Sequence, residues 1–165
     1  MGAGKTTVGR ALARKLRWSF VDSDHEIERR TGVTVATIFE IEGEAGFRRR
    51  ESQVIAELAA GQGQVIATGG GAVLSEDNRR AMKAGGLVIY LKVSTRLLYE
   101  RTRHDRGRPL LQVADPLARL DELFAQRDPL YREAAHVVVD GDRLNAQQIV
   151  QLIEKDLVPP CVKSS

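Results

Sequence analysis

The chain has 165 residues, 42% hydrophobic and 28% charged, with a formal net charge of +3, the balance of one globular domain able to bury a core. So mild a charge, without a lysine-arginine tract carrying interleaved aromatics, argues against nucleic acid as a partner and suits a small anion. The single cysteine, Cys161, excludes an internal disulfide and a zinc pattern; with no apolar run of transmembrane length and no signal peptide, the expected setting is the cytoplasm, away from membranes.

The first residues, Met1-Gly2-Ala3-Gly4-Lys5-Thr6-Thr7, end in Gly4-Lys5-Thr6, the tail of a phosphate-binding loop of the form G-x-x-x-x-G-K-[ST]. Small residues let backbone N–H groups turn inward around a phosphate, the lysine adds a compact positive charge, and the hydroxyl suits Mg²⁺. Val8, Ala11, Leu12 and Leu16 recur at helical spacing and predict a helix from about Thr6 to Arg17 whose N-terminus points at the anion. Gly2, Ala3, Gly4, Lys5, Thr6 and Thr7 are therefore the nucleotide-binding candidates, with Lys5 bridging the β- and γ-phosphates and Thr6 on Mg²⁺. The loop's first glycine, and a strand leading into it, would lie before Met1. The expectation is that Met1 is internal and the native chain extends upstream by roughly ten residues, an apolar strand and then the glycine.

Ser19-Phe20-Val21 reads as a short strand ending at Asp22-Ser23-Asp24, and Glu26 to Arg30 as a helix stopped near Thr31-Gly32. Thr34 fits the N-cap of a short helix ending at Gly43, and Phe47, Glu51, Val54, Ile55 and Leu58 mark a longer one. Gln64 to Thr68 is a second strand entering Gly69-Gly70-Gly71, and Ser75 caps a helix to about Ala84. Leu87 to Val93 reads as a strand buried on both faces. Thr95 to Arg103 is helical, and the charged stretch from His104 to Pro109 suits a mobile lid, placed at about 103–113. Pro116 opens a helix to Arg127 that Asp128-Pro129 breaks or restarts; His136 to Val139 is a last strand, and Asn145 caps a final helix to about Leu157. Strands alternating with helices indicate an α/β fold with a parallel sheet, four of whose strands are encoded here. Residues 1–158 form one domain and 159–165 a loose tail. The strand ends, with Asp22/Asp24, the triple glycine, the Ser94-Thr95 cap and the turn from Asp140 to Asn145, would share one ligand-binding rim.

On that rim, Asp22 and Asp24 sit two apart and in an extended segment would point to one side. One would hold metal-bound water and the other take a proton from an acceptor hydroxyl, with a helix N-cap as the plainer role for Asp24. Three successive glycines bear a backbone-entropy cost that the approach of N–H groups to a ligand would justify. Of Arg48, Arg49 and Arg50, one or two can face the cleft. Arg127, as a helix-end arginine, reads first as a partner of the helix dipole. Arg108 in the lid would bring a guanidinium onto a transferring phosphate.

Together these residues resemble the shikimate kinases, small P-loop kinases of aromatic amino-acid biosynthesis. The likeness runs from Met1 to about Leu157 and rests on Gly2-Ala3-Gly4-Lys5-Thr6-Thr7-Val8-Gly9, Asp22-Ser23-Asp24, Gly43-Glu44 with Phe47-Arg48, Thr68-Gly69-Gly70-Gly71-Ala72, Arg108-Pro109-Leu110-Leu111 and Arg127-Asp128-Pro129-Leu130-Tyr131. The resemblance implies ATP- and Mg²⁺-dependent phosphorylation of the 3-hydroxyl of shikimate by a five-stranded sheet sandwiched by helices. It implies Asp24 as general base and hydroxyl binder, Arg48 and Arg127 as the grip on the shikimate carboxylate, and Gly70 and Gly71 as N–H donors to the same substrate. Thr6 and, through water, Asp22 would hold Mg²⁺; Lys5 and Arg108 would neutralise the moving phosphoryl group, and Arg101 would lie against adenine. Ala146 stands where that family commonly has proline. The alternatives are a gluconate or nucleoside-monophosphate kinase, or a nucleotide-binding but inactive chain. A monomer is expected, because no apolar helix face is left over.

Overall fold

The computed structural model describes residues 2–104 and 111–157. In chain order these form α1 (Lys5–Leu16), β1 (Ser19–Asp22), α2 (Ser23–Thr31), α3 (Val35–Ala59), β2 (Gln64–Ala67), α4 (Glu76–Gly85), β3 (Ile89–Lys92), α5 (Thr95–Thr102), α6 (Pro116–Ala134), β4 (Val137–Asp140) and α7 (Ala146–Leu152). A 3₁₀ turn, Ala72–Leu74, precedes α4, and a π turn, Ile153–Leu157, continues α7.

Both strand pairings are parallel, so each needs a helical crossover. β1 runs beside β2 with Ser19 opposite Gln64 and Asp22 opposite Ala67; β3 runs beside β4 with Ile89 opposite Val137 and Lys92 opposite Asp140. The described strands form two separate parallel pairs. A cavity of about 130 Å³ is lined by Thr68, Gly69 and Gly70 after β2, by Ile89 to Leu91 of β3, and by Leu120, Leu123 and Phe124 of α6. For this reason β3, expected to be buried on both faces, is only half-buried at all four residues.

α1 joins the two pairs. Its buried Val8, Leu12 and Leu16 pack with Val139 of β4 and with Ile149, Val150 and Ile153, and reach Val65 of β2 and Ile89 and Leu91 of β3. Burial of each such side chain contributes about 1.5–3 kcal/mol, so this one helix stripe holds both halves. A second cluster, Ile27, Ile38, Phe47 and Val54, fixes α2 against α3. The two helices expected on either side of Gly43 are present as α3, interrupted at that glycine by φ 69° and ψ −179°.

The break expected at Asp128-Pro129 does not occur: α6 runs from Pro116 to Ala134. Proline removes one helix N–H and crowds the carbonyl four residues back, but its neighbours are tied down on both sides. Tyr90 Oη donates to Asp128 Oδ1 at 2.9 Å and Arg132 Nε to Asp128 Oδ2 at 2.7 Å, while Tyr131 Oη donates to Gly70 O at 2.6 Å. Arg127 therefore lies inside a helix, not at its end, and the dipole role expected for it is wrong. At α7 the Asn145 and Gln148 side chains form a reciprocal capping box, so the helix starts cleanly with Ala146 as its first residue.

Candidate active site

The phosphate loop is built from backbone conformation. Gly2 and Gly4 hold φ of 69° and 89°, which glycine adopts without a Cβ penalty. Gly4 is the N-cap of α1 and gives its first-turn amides no side-chain acceptor. Those N–H groups, at the positive end of the helix dipole, form an anion site. Thr6 and Thr7 are exposed in the first turn. Arg101 Nη1 donates to Gly2 O at 3.2 Å, which sets this arginine against the loop backbone.

The two aspartates do not share an extended segment. Asp22 is the N-cap of α2, its Oδ1 accepting from the N–H groups of Asp24 and His25 at 3.0 and 3.2 Å. Asp24 lies inside the first helical turn, so the capping role expected for it belongs to Asp22. Between them the fully buried Ser23 Oγ accepts from Gly69 N at 3.2 Å. That bond ties the start of α2 to the glycine loop.

Three more side chains hold the loop. Asn78 Nδ2, buried in α4, donates to Ala72 O at 2.9 Å, Arg79 Nη1 donates to Val73 O at 2.6 Å, and Tyr131 Oη takes the Gly70 carbonyl. A Cβ on Gly69 would stand 2.7 Å from Asp24 Oδ1 and 3.2 Å from Glu51 Oε1, and one on Gly71 would overlap the Arg48 guanidinium. Bare backbone is thus what lets the carboxylates and the guanidinium close on this loop.

Arg48 Nη1 donates to Glu51 Oε2 at 2.6 Å, and its Nη2 reaches the exposed Glu44 at 3.4 Å. Glu51 is 1% exposed. Burial pushes the Glu51 carboxyl up, opposed by the hydrogen bond and charge of Arg48. Asp24 is likewise pushed above the ordinary aspartate range, chiefly by burial and then by the charge of Asp22, with Lys5 and Arg48 opposing. Among the described residues, three buried side-chain polar atoms lack a protein hydrogen-bond partner: Asp24 Oδ1, Arg48 Nε and Glu51 Oε1. Such atoms are costly unless a ligand engages them, and all three belong to side chains gathered around Gly69 and Gly71.

Lys5, Gly69, Gly70, Arg127 and Tyr131 line the same cavity. The fold therefore brings Lys5, Asp24, Arg48, Gly70, Gly71 and Arg127 to one place, with Gly2 to Thr7 along its edge. Arg108 and most of the expected lid lie outside the described residues. Glu51 and Tyr131 join the expected residues at this place through their bonds to Arg48 and Gly70. The Arg48–Glu51 spacing of one helical turn is the sequence signal for the first; Tyr131 stands in the Arg127 to Tyr131 segment, but its partner, 61 positions away, is visible only in the fold. Tyr131→Phe should release the Gly70 carbonyl and raise the KM of the bound acceptor about two- to tenfold, as expected for one net hydrogen bond. Steady-state kinetics check this, and an unchanged KM would show that the loop needs no such anchor.

The donor set also fits Mg²⁺. Thr6 offers a hydroxyl, and Asp22 keeps Oδ2 clear of the helix cap, which uses Oδ1. Among the described residues no group of three or more His, Cys, Asp and Glu is placed to hold a metal. Mg²⁺ keeps several waters and takes one or two protein oxygens beside substrate phosphates, which Thr6 and Asp22 would supply.

The shikimate kinase family model matches residues 1–158. The shikimate kinase of Dechloromonas aromatica is 63% identical over 156 residues, spanning 94% of this chain and 85% of the relative. That of Aromatoleum aromaticum is 60% identical, spanning 94% and 89%. Among solved structures, shikimate kinase from Acinetobacter baumannii in complex with shikimate superposes with a TM-score of 0.86 at 49% identity, over 96% of this chain and 91% of that one.

Proposed function

Because the chain belongs to the shikimate kinase family, we propose that its cleft grips the shikimate carboxylate with Arg48 and Arg127 and presents the 3-hydroxyl to Asp24. The chain's activity is ATP-dependent phosphorylation of shikimate to shikimate 3-phosphate, with Mg²⁺. The observation that carries the residue roles is the gathering of Asp24, the Arg48–Glu51 pair and the glycine loop around three buried, unpartnered polar atoms. A carboxylate-bearing polyol satisfies such a set; a neutral apolar ligand would not.

In this reading Asp24 takes the proton from the 3-hydroxyl as its oxygen attacks the γ-phosphorus, and the bond to the β,γ-bridging oxygen breaks to release ADP. The raised pKa of Asp24 brings its basicity closer to neutral pH, where a general base works best. Gly70 and Gly71 supply N–H groups that orient the acceptor. Lys5 and the first-turn amides of α1 face the developing phosphate charge, the fixed-dipole arrangement that phosphoryl transfer needs. Thr6 and, through water, Asp22 would hold Mg²⁺, which neutralises triphosphate charge when bound. Arg108 is assigned to the transferring phosphoryl group and Arg101 to the adenine side of the phosphate loop.

The same reading assigns the work to a monomer in the cytoplasm, with no nucleic-acid or membrane partner. Among the described residues no helix is long and apolar enough to cross a membrane. The test is selectivity. ADP release should be shikimate-dependent and low with gluconate or nucleoside monophosphates, and Arg48→Met and Arg127→Met should each raise the shikimate KM by about tenfold or more. Equal rates with gluconate, or an unchanged KM in both variants, would overturn the assignment of the cleft.

A further inference from the structure

Residues eight apart on a straight α-helix are separated by about 12 Å along its axis and cannot touch. In α3 two such pairs do touch. Phe39 and Phe47 stack with ring centroids 4.7 Å apart. Arg50 grips Glu42 with a two-pronged contact, Nε to Oε2 at 2.9 Å and Nη2 to Oε1 at 2.6 Å. The cause is Gly43, whose φ 69° and ψ −179° fall in a region almost confined to glycine. The chain folds back there, and segment 35–42 lies against segment 44–59. Gly46 makes this possible, since a Cβ on it would overlap Cβ of Glu42.

The fold-back ends on the substrate-binding arginine. The Arg48 guanidinium lies 5.3 Å from the centre of the Phe47 ring, and Glu44, the residue after the kink, supplies its second carboxylate contact. Phe47 and Glu44 thus connect the kink to Arg48, and the Glu42–Arg50 pair spans the kink. Arg50 takes both oxygens of Glu42, which keeps that carboxylate from competing for the guanidinium two positions before it.

We propose that Glu42 and Arg50 are positioning residues for shikimate: their two-pronged ion pair latches the Gly43 fold-back and so sets Arg48 for the substrate carboxylate. Neither lines the cavity, and both side chains are partly exposed, at 31% and 44%. Exposed pairs are often worth little, but a bidentate arginine-carboxylate contact is the geometry in which they count. This inference rests on the assignment of Arg48 to the shikimate carboxylate.

The test uses the full chain. Glu42→Gln and Arg50→Gln should each raise the shikimate KM about three- to tenfold while kcat and the KM for ATP stay within about twofold. The exchanged pair Glu42→Arg with Arg50→Glu should recover most of the lost affinity, because it restores the latch with the charges reversed. Glu26 on α2 accepts from Arg29 and Arg30, an ion cluster on a helix that does not carry the kink; Glu26→Gln should leave the shikimate KM unchanged. A latch variant with wild-type shikimate KM, or an equal change on Glu26→Gln, overturns the proposal. If Arg48→Met also leaves the shikimate KM unchanged, the Arg48 assignment fails with it; if only the latch variants are silent, that assignment stands and the latch alone is rejected.

Discussion

Replacing Asp24 by asparagine should lower kcat for shikimate by about 10²–10⁴-fold, the usual contribution of a positioned general base, and leave the affinity for ATP nearly unchanged. The substitution keeps size and position but removes the only carboxylate that closes on Gly69 from the first turn of α2. The pH dependence gives a second readout. Asp24 is held above the ordinary aspartate range by burial, then by the charge of Asp22. It must be ionised to accept a proton, so kcat should rise with pH through that elevated pKa, and this acid limb should vanish in the variant. Stability runs the other way. A carboxyl whose pKa is higher in the folded chain contributes stability while protonated, below its unfolded pKa, and loses that contribution as pH rises through the folded value. Asp24→Asn should therefore be at least as stable as the parent chain at neutral pH, with a flatter dependence of stability on pH. A variant that keeps most of its turnover would remove Asp24 from the base role.

Glu51→Ala should have the largest effect on stability. Glu51 is fully buried and accepts the Arg48 Nη1 bond at 2.6 Å. Without it Arg48 keeps only the longer contact to the exposed Glu44, and breaking one side of a buried pair costs about 3–5 kcal/mol. At about 2–4 °C per kcal/mol for a chain of this size, a 3 kcal/mol loss lowers Tm by roughly 6–12 °C. The shikimate KM should rise as well, because the guanidinium is no longer held. The double change Arg48→Met with Glu51→Leu should regain stability but not binding, since buried ion pairs are often no more stable than apolar replacements. A Tm within about 2 °C of the parent after Glu51→Ala would show that the pair is not a structural anchor.

Much of this site was legible in residue order, because the alternation of strands and amphipathic helices and the glycine positions are local signals. Gly43 and Thr34 marked real helix boundaries for that reason. What was not legible depended on distant partners. Asp22 and Asp24 are equally good caps by type; in the fold Asp22 takes the role, and the buried Ser23 between them bonds Gly69 across 46 positions. Pro129 should end a helix by local rules, yet Tyr90, Arg132 and Gly70 hold both sides of it, and Arg127 moves into the helix body as a result. The apolar run around β3 cannot reveal that its residues border a cavity as well as β4. Glu51 was visible as a core position of α3, but only the fold shows that it is a buried carboxylate set against Arg48.

The most direct measurement is the identity of the product. Incubating the protein with ATP, Mg²⁺ and shikimate, followed by phosphorus and proton NMR, should give a single new phosphomonoester coupled to the proton at C3, in step with ADP. ADP release without a phosphorylated shikimate, or phosphate on a different hydroxyl, would contradict the account of this cleft.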